Sequence, residues 1–488
     1  MLRNLAALGL SIATFAFAAR PMAAEVLAAG AHLELRLSVA TGSRISHPGD
    51  PVEATVIAPV LEDGRLLIPQ GTTVSGAVER VERLGLGLKH LTAGIGYRFD
   101  AIQLQDGAVI PIEARVIQVE TAKERVNAQG LIGGIYPTAN LSSSVAFYLL
   151  PLLCVDPEFG VPVLGVKFLI ARSPDPEIYF PAGTEMVLQL TAAADIPHLG
   201  TPQDRISPVP AAEMAEARGI LAQLPQQRTS SGNHPSDLVN ILFFGGKEPI
   251  NRAFQAAGWL GAQRRSVLSL YRMYHCMVQR MGYRMAPMGR LMLNGATADS
   301  EYQKSLDTFS KRHHVRLWEQ RENVWLGAAT EDIGYTTRRM HITHATDPFI
   351  DNERAKVLND LAFTGCVEAA SMTTRDPSDP AAQGRFPGTD GRVVVIRMDD
   401  CSNPRAMPGE SATSGPREER RSVQALIALR NDIIRSNPIS LTSNTIRALH
   451  EKRNPEVTGA PSKTGVVQSR WIRPSVLDEE NLTVDAQR

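Results

Sequence analysis

Hydrophobic and polar positions follow two different rhythms along this chain. Between residues 30 and 195 the runs PVEATVIAPV, RLLIPQGTTVSGAVERV, YRFDAIQL and AVIPIEARVIQV are short, rich in Val and Ile, and separated by Gly, Asp or Pro. That texture predicts strands of a small barrel or sandwich. Two strands are preceded by the same phrase, Pro-x-Gly-Thr, in IPQGTTV (68–74) and FPAGTEMVLQL (180–190), and HPGDPV (47–52) is related. Proline presets one backbone angle and glycine admits positive φ, so each phrase predicts a turn.

From 196 to 235 the chain becomes rich in Pro, Gln and Ser, with one short helical stretch, AAEMAEARGILAQL, and reads as a linker. A second domain follows over 236–402. DLVNILFFGG predicts a buried strand ending in a glycine turn. EPINRAFQAAGW predicts a helix with Pro249 in its first turn, an apolar stripe at Ile250, Ala253, Phe254 and Ala257, and Gly258 as its stop. RSVLSLYRMYHCMVQRMG places Val267, Leu270, Tyr271, Tyr274, Met277, Val278 and Met281 on one helix face, expected to pack into the core. HHVRLWEQ and NVWLGAATEDIGY predict two strands about a turn at Arg321-Glu322-Asn323. TTRRMHITHA predicts another strand, DPFIDNERAKVLNDLAFTG a helix, and GRVVVIRMDD a closing strand. The whole is a multidomain chain: a β-rich barrel or sandwich followed by an α+β or mixed α/β domain. Residues 403–488 predict a helical segment and a polar tail.

The phrases FFGGKEPINRAFQAAGW, HHVRLWEQ, NVWLGAAT and HITHATDPFIDNERAKVLNDL, in that order and spacing, resemble the C-terminal domain of LssY-like bacterial proteins over roughly 235–400. In that family the domain sometimes accompanies a membrane phosphatase of the phosphatidic-acid type, which no part of this sequence resembles. The resemblance implies a domain and assigns no catalytic residue. The phrases LLIPQGTTVSG and FPAGTEM in turn resemble β-domains of bacterial envelope and secretion-apparatus proteins.

Composition adds compartment. MLRNLAALGLSIATFAFAARPMAAEV carries an early arginine, an apolar run and small residues near Ala18 and Ala24, so residues 1–24 read as a signal peptide. The expected location is therefore the periplasm or cell envelope of a Gram-negative bacterium. Lys+Arg and Asp+Glu balance at 51 each, which gives no global attraction to nucleic acid, and none is expected as a partner. Four widely spaced cysteines (Cys154, Cys276, Cys366, Cys401) form no CxxC and leave three pairings open. The apolar stretch 142–170 is interrupted by Asp156, Glu158 and Lys167, and its charge-free part, Val145 to Val155, is too short to span a membrane but offers peripheral membrane contact.

Candidate chemistry concentrates in MHITHATDPFIDNER (340–354). In a regular strand His341 and His344 point to opposite faces. Asp347 suits an N-cap and Pro348 the first helical position. Asp351 and Glu353 diverge around the helix, while Arg354 interrupts the apolar stripe of Ile350, Val357, Leu358 and Leu361. Three readings stay open. The stretch is purely structural; or His341 or His344, with Asp351, holds a divalent metal such as zinc, aided by His313 or His314; or Arg316 and Arg354 with the histidines and Asp351 bind an anion. HExxH, GxSxG and GxxxxGK[ST] are all absent. The expected role is binding or organising an envelope protein or polymer, with a metal-assisted hydrolase of a phosphate ester or envelope component as the alternative.

Overall fold

The computed structural model describes residues 25–62, 65–85, 92–104, 107–121, 123–135, 175–196, 206–224, 228–231, 234–279, 282–305, 311–338, 341–374 and 389–407, with a few isolated positions besides. The expected signal peptide, the helical segment after 403 and most of 142–170 lie outside these residues.

The first domain is a barrel of six strands: β1 (His32–Leu37), β2 (Pro51–Val56), β3 (Thr73–Glu82), β4 (Gly94–Gln103), β5 (Val109–Val119) and β6 (Glu185–Leu190). Each pairs antiparallel with its neighbour in sequence, and β6 returns to β1, so the sheet closes on itself. Closure removes the exposed edges that an open sheet would present. Leu33, Leu35, Val56, Val74, Phe99, Ile102, Val116 and Leu188 fill the interior.

The two Pro-x-Gly-Thr phrases fold alike. Gly71 has φ +86° and Gly183 φ +94°, and in each turn the threonine hydroxyl donates to the proline carbonyl at 2.8 Å. The turns launch β3 and β6 directly.

The second domain is built on a mixed sheet in the order β8 (Ser300–Ser305), β9 (Lys311–Arg321), β10 (Val324–Arg338), β7 (Ile241–Phe244), β13 (Arg392–Met398) and β12 (Val367–Thr374), with β11 (His341–Thr346) pairing β10. Only the β7–β13 pairing is parallel among these strands. One face carries α2 (Lys247–Ala256) and α4 (Ile350–Phe363), whose Phe254, Val357, Leu358 and Leu361 pack with Phe243, Val315, Trp259 and Trp325. The opposite face carries α1 (Ala211–Gln223), whose Met214, Ala217 and Leu221 pack with Leu242, Trp318 and Val395. The helix expected in the linker is therefore seated on the second domain.

Three local expectations change. TTR extends β10 to Arg338, and Arg338 pairs with His341, so the stretch expected as one strand is two arms of a hairpin. Helix α4 begins at Ile350, after Phe349, and not at Pro348. The Asp347 carboxylate instead accepts the Phe349 N–H at 3.0 Å, a turn leading into the helix. Helix α3 (Val267–Gln279) does not bury its apolar stripe: Val267, Leu270, Tyr271 and Tyr274 are exposed. The side chains of Met277, Val278 and Met281 lie outside the described residues.

Candidate functional site

Barrel and second domain meet through buried charge. Six ionisable residues gather there, each less than one-tenth exposed: Glu34 and Arg36 on β1, Glu185 at the start of β6, Lys304 on β8, and Lys356 and Asp360 on α4. Lys356 pairs with Glu185, while Lys304 reaches Glu185 at 3.4 Å and Asp360 at 2.8 Å. Arg36 stands 3.8 Å from Glu185, and Lys356 stands 3.8 Å from both Glu34 and Asp360. Trp259 Nε1–H donates to Asp360 at 2.9 Å, and Lys304 lies 5.4 Å from the Trp259 ring centroid. Three cations thus face three carboxylates across the seam.

The turns explain how the barrel reaches this place. Glu185 follows the Gly183-Thr184 turn immediately. Gln70, inside the matching turn, donates to the Asn359 carbonyl on α4 at 3.0 Å. Burial alone would raise the Glu185 carboxyl, but Lys356, Lys304 and Arg36 hold it well below its ordinary range. Burial likewise opposes ionisation of Asp360, yet Lys304 and Lys356 hold its carboxyl down.

A second polar cluster lies beside the first. The Glu120 N–H, just past β5, donates to the Glu185 carbonyl, which links the two. The fully buried His313 on β9 donates Nδ1–H to Glu353 on α4 at 2.8 Å. Its Nε2 lies 3.8 Å from Glu120 Oε2 and makes no hydrogen bond. Glu331 pairs with His313 across the β9–β10 ladder. One ligand atom each from Glu120, His313 and Glu331 lies within 4.8 Å of the others. Burial would lower the His313 pKa, but Glu353 and Glu120 raise it to about 10; burial raises Glu331 to about 7 against the pull of His313.

The residues singled out in sequence separate into different places. Alternation along β9 sends His313 towards α4 and His314 and Arg316 to the other face. There Arg316 meets Asp237 at 3.4 Å, Glu301 at 3.6 Å and the Gly289 carbonyl at 3.3 Å. His314 lies 3.4 Å from Asp332, whose carboxyl burial pushes up to about 7 against Arg312. Arg354 on α4 makes a two-pronged contact with Asp390, at 2.8 and 2.7 Å, and also reaches Asp351 at 3.1 Å and the Arg392 carbonyl at 2.8 Å. Asp351 additionally accepts from Thr389 and the Asp390 N–H. Arg316 and Arg354 therefore lie on opposite faces of the sheet, and Asp351 is occupied with Arg354 away from His313. His341 and His344 sit on β11, and their side chains lie outside the described residues.

Sequence reasoning passed over Glu120, Glu185, Lys304, Glu331, Lys356 and Asp360. Two signals were available: a glutamate directly behind a Pro-x-Gly-Thr turn, and Lys356 and Asp360, four apart on a helix otherwise rich in Val and Leu. Both cysteines of a second potential ligand group, Cys366 and Cys401 beside Asp399, are joined in a disulfide.

This fold carries a recognisable domain. Residues 221–393 match the LssY C-terminus family, so the chain contains an LssY-like C-terminal domain behind its barrel. A solved structure, ComB10 of the Com type IV secretion system of Helicobacter pylori, is similar at 12% identity, covering 36% of this chain and 92% of its own, with a TM-score of 0.21. That superposition is too loose to assign a fold. No curated protein matches the chain.

Proposed function

We propose that this protein is an exported envelope component that binds and organises a partner protein through the exposed face of α3. The observation that carries the reading is the α3 surface. Val267 is 87% exposed, Leu270 52%, Tyr271 54% and Tyr274 41%, at the i, i+3, i+4, i+7 spacing of a single helical stripe. Aromatic and aliphatic side chains grouped in this way are typical of helix-face recognition. The buried charges, by contrast, are turned towards one another. Support for export comes from the signal-like first 24 residues and from the Cys366–Cys401 disulfide, a bond that persists in oxidising compartments.

The test is site-specific photo-crosslinking in intact cells. A photoreactive side chain at Tyr271 is expected to yield a discrete adduct in the envelope fraction, abolished by Leu270→Asp. The same group at Tyr179, exposed beside the barrel, serves as the control. No adduct from position 271, or an identical adduct pattern from 179, contradicts the proposal.

A further inference from the structure

The His313 cluster, separate from the α3 surface, gathers residues of both domains around one buried imidazole. Its Nδ1–H is committed to Glu353 at 2.8 Å, which fixes the ring, so that Nε2 is the nitrogen that offers a lone pair once the imidazolium gives up its second proton. A carboxylate holding the far nitrogen in this way is the usual outer support of a metal-ligating histidine. Nε2 then points to Glu120 Oε2 at 3.8 Å, too far for a hydrogen bond, with Glu331 completing a triangle inside 4.8 Å. Ligand atoms of a tetrahedral zinc stand about 3.3 Å apart, given bonds of about 2.0 Å. The observed gap needs a small contraction to reach that value.

Burial and charge point the same way. His313 is 0% exposed and Glu120 and Glu353 are 5% and 3% exposed, while Glu353 Oε1 makes no hydrogen bond. Glu120 is itself steadied by Gln118, whose Nε2–H donates to Glu120 Oε1 at 3.0 Å. Trp259 covers one side, its ring centroid 6.1 Å from that of His313. Three carboxylates surround one imidazole, and Lys311 also acts on Glu331. A divalent ion on the Nε2 side would bring positive charge beside these carboxylates.

We propose that Glu120, His313 and Glu331 bind one divalent cation of the zinc class, with Glu353 as the positioning residue for His313, and that the ion clasps the barrel to the LssY-like domain. Glu120 comes from the barrel and the other two ligands from β9 and β10, so the ion ties together segments almost two hundred positions apart in the chain. One nitrogen and two oxygen donors suit zinc, and a fourth position is left for water. Any proton on Nε2 leaves to solvent as the ion binds.

The experiment uses the full chain, stripped with chelator, reloaded with zinc sulfate, desalted and assayed for zinc by mass spectrometry, with thermal unfolding recorded alongside. The expected result is one zinc per chain and a Tm raised by zinc. Glu120→Gln and Glu331→Gln should each weaken zinc binding at least tenfold and abolish the Tm increase. Asp332→Asn, on the opposite face beside His314, should retain both. Cobalt(II) in place of zinc should give the strong visible bands of a four- or five-coordinate site in wild type and lose them in Glu331→Gln. Should a ligand variant fail to fold by circular dichroism, Glu353→Gln provides the same readout; it keeps every donor atom yet should lower affinity ten- to a hundredfold, as loss of an outer support does. Less than a tenth of an equivalent of zinc on reloaded wild type overturns the proposal. So does undiminished zinc in folded Glu120→Gln and Glu331→Gln, or a cobalt spectrum no different from the hydrated ion.

Discussion

Glu185 engages three cations, one from its own barrel and two from the neighbouring domain. A buried carboxylate survives as an anion only when such partners offset its lost hydration. Removing one partner leaves the others uncompensated, so Glu185→Gln should cost about 3–5 kcal/mol. The pH dependence has a definite sign. Glu185 and Asp360 have folded-state pKa values below their ordinary 4.5 and 3.8. Their contribution is therefore complete above those values and is lost as pH falls through the depressed folded ones. Urea unfolding should show stability dropping below pH 4.5 in wild type and a flatter acid limb in Glu185→Gln. An unchanged acid limb in the variant would assign the loss to other groups. At the same scale Arg354 is answered: its guanidinium spans Asp390 and Asp351, a planar fork matched to carboxylates.

Elements translate those residues into position. Each Pro-x-Gly-Thr turn sets a strand start and delivers one side chain, Gln70 or Glu185, to α4. At φ +86° and +94° an added Cβ strains the backbone, so Gly71→Ala and Gly183→Ala should each cost about 1–2 kcal/mol. Denaturant unfolding of both variants checks this, and unchanged midpoints would show that the turns relax freely. These turns were legible in sequence, as were α2 and the β9–β10 hairpin with Asn323 at φ +62°. All depend on neighbours a few residues apart. The α3 stripe was legible as a stripe and misassigned to the core. Periodicity reveals that a helix has an apolar face but not whether anything covers it. The start of α4 slipped because an aspartate before proline serves an Asx turn as readily as a cap.

Among the described residues, barrel and LssY-like domain are fastened by charges that sequence order keeps far apart. Glu185 and Lys356 are separated by 171 positions, and no local rule pairs them. The closed barrel was one of two forms the strand pattern allowed; closure depends on β6 returning to β1 after a long insertion. The candidate site was misplaced for the same reason: the histidine-rich stretch 340–354 drew attention by density, whereas the assembled clusters draw one to three residues each from β1, β6, β8, β9, β10 and α4, with Glu120 from just past β5. We propose that this seam makes barrel and LssY-like domain one cooperative unit and leaves α3 as the surface for a partner. Scanning calorimetry of the full chain in chelator tests it most directly. One cooperative transition is expected for wild type, splitting into two in Glu185→Gln. Two independent transitions in wild type, or a single unshifted one in the variant, would contradict it.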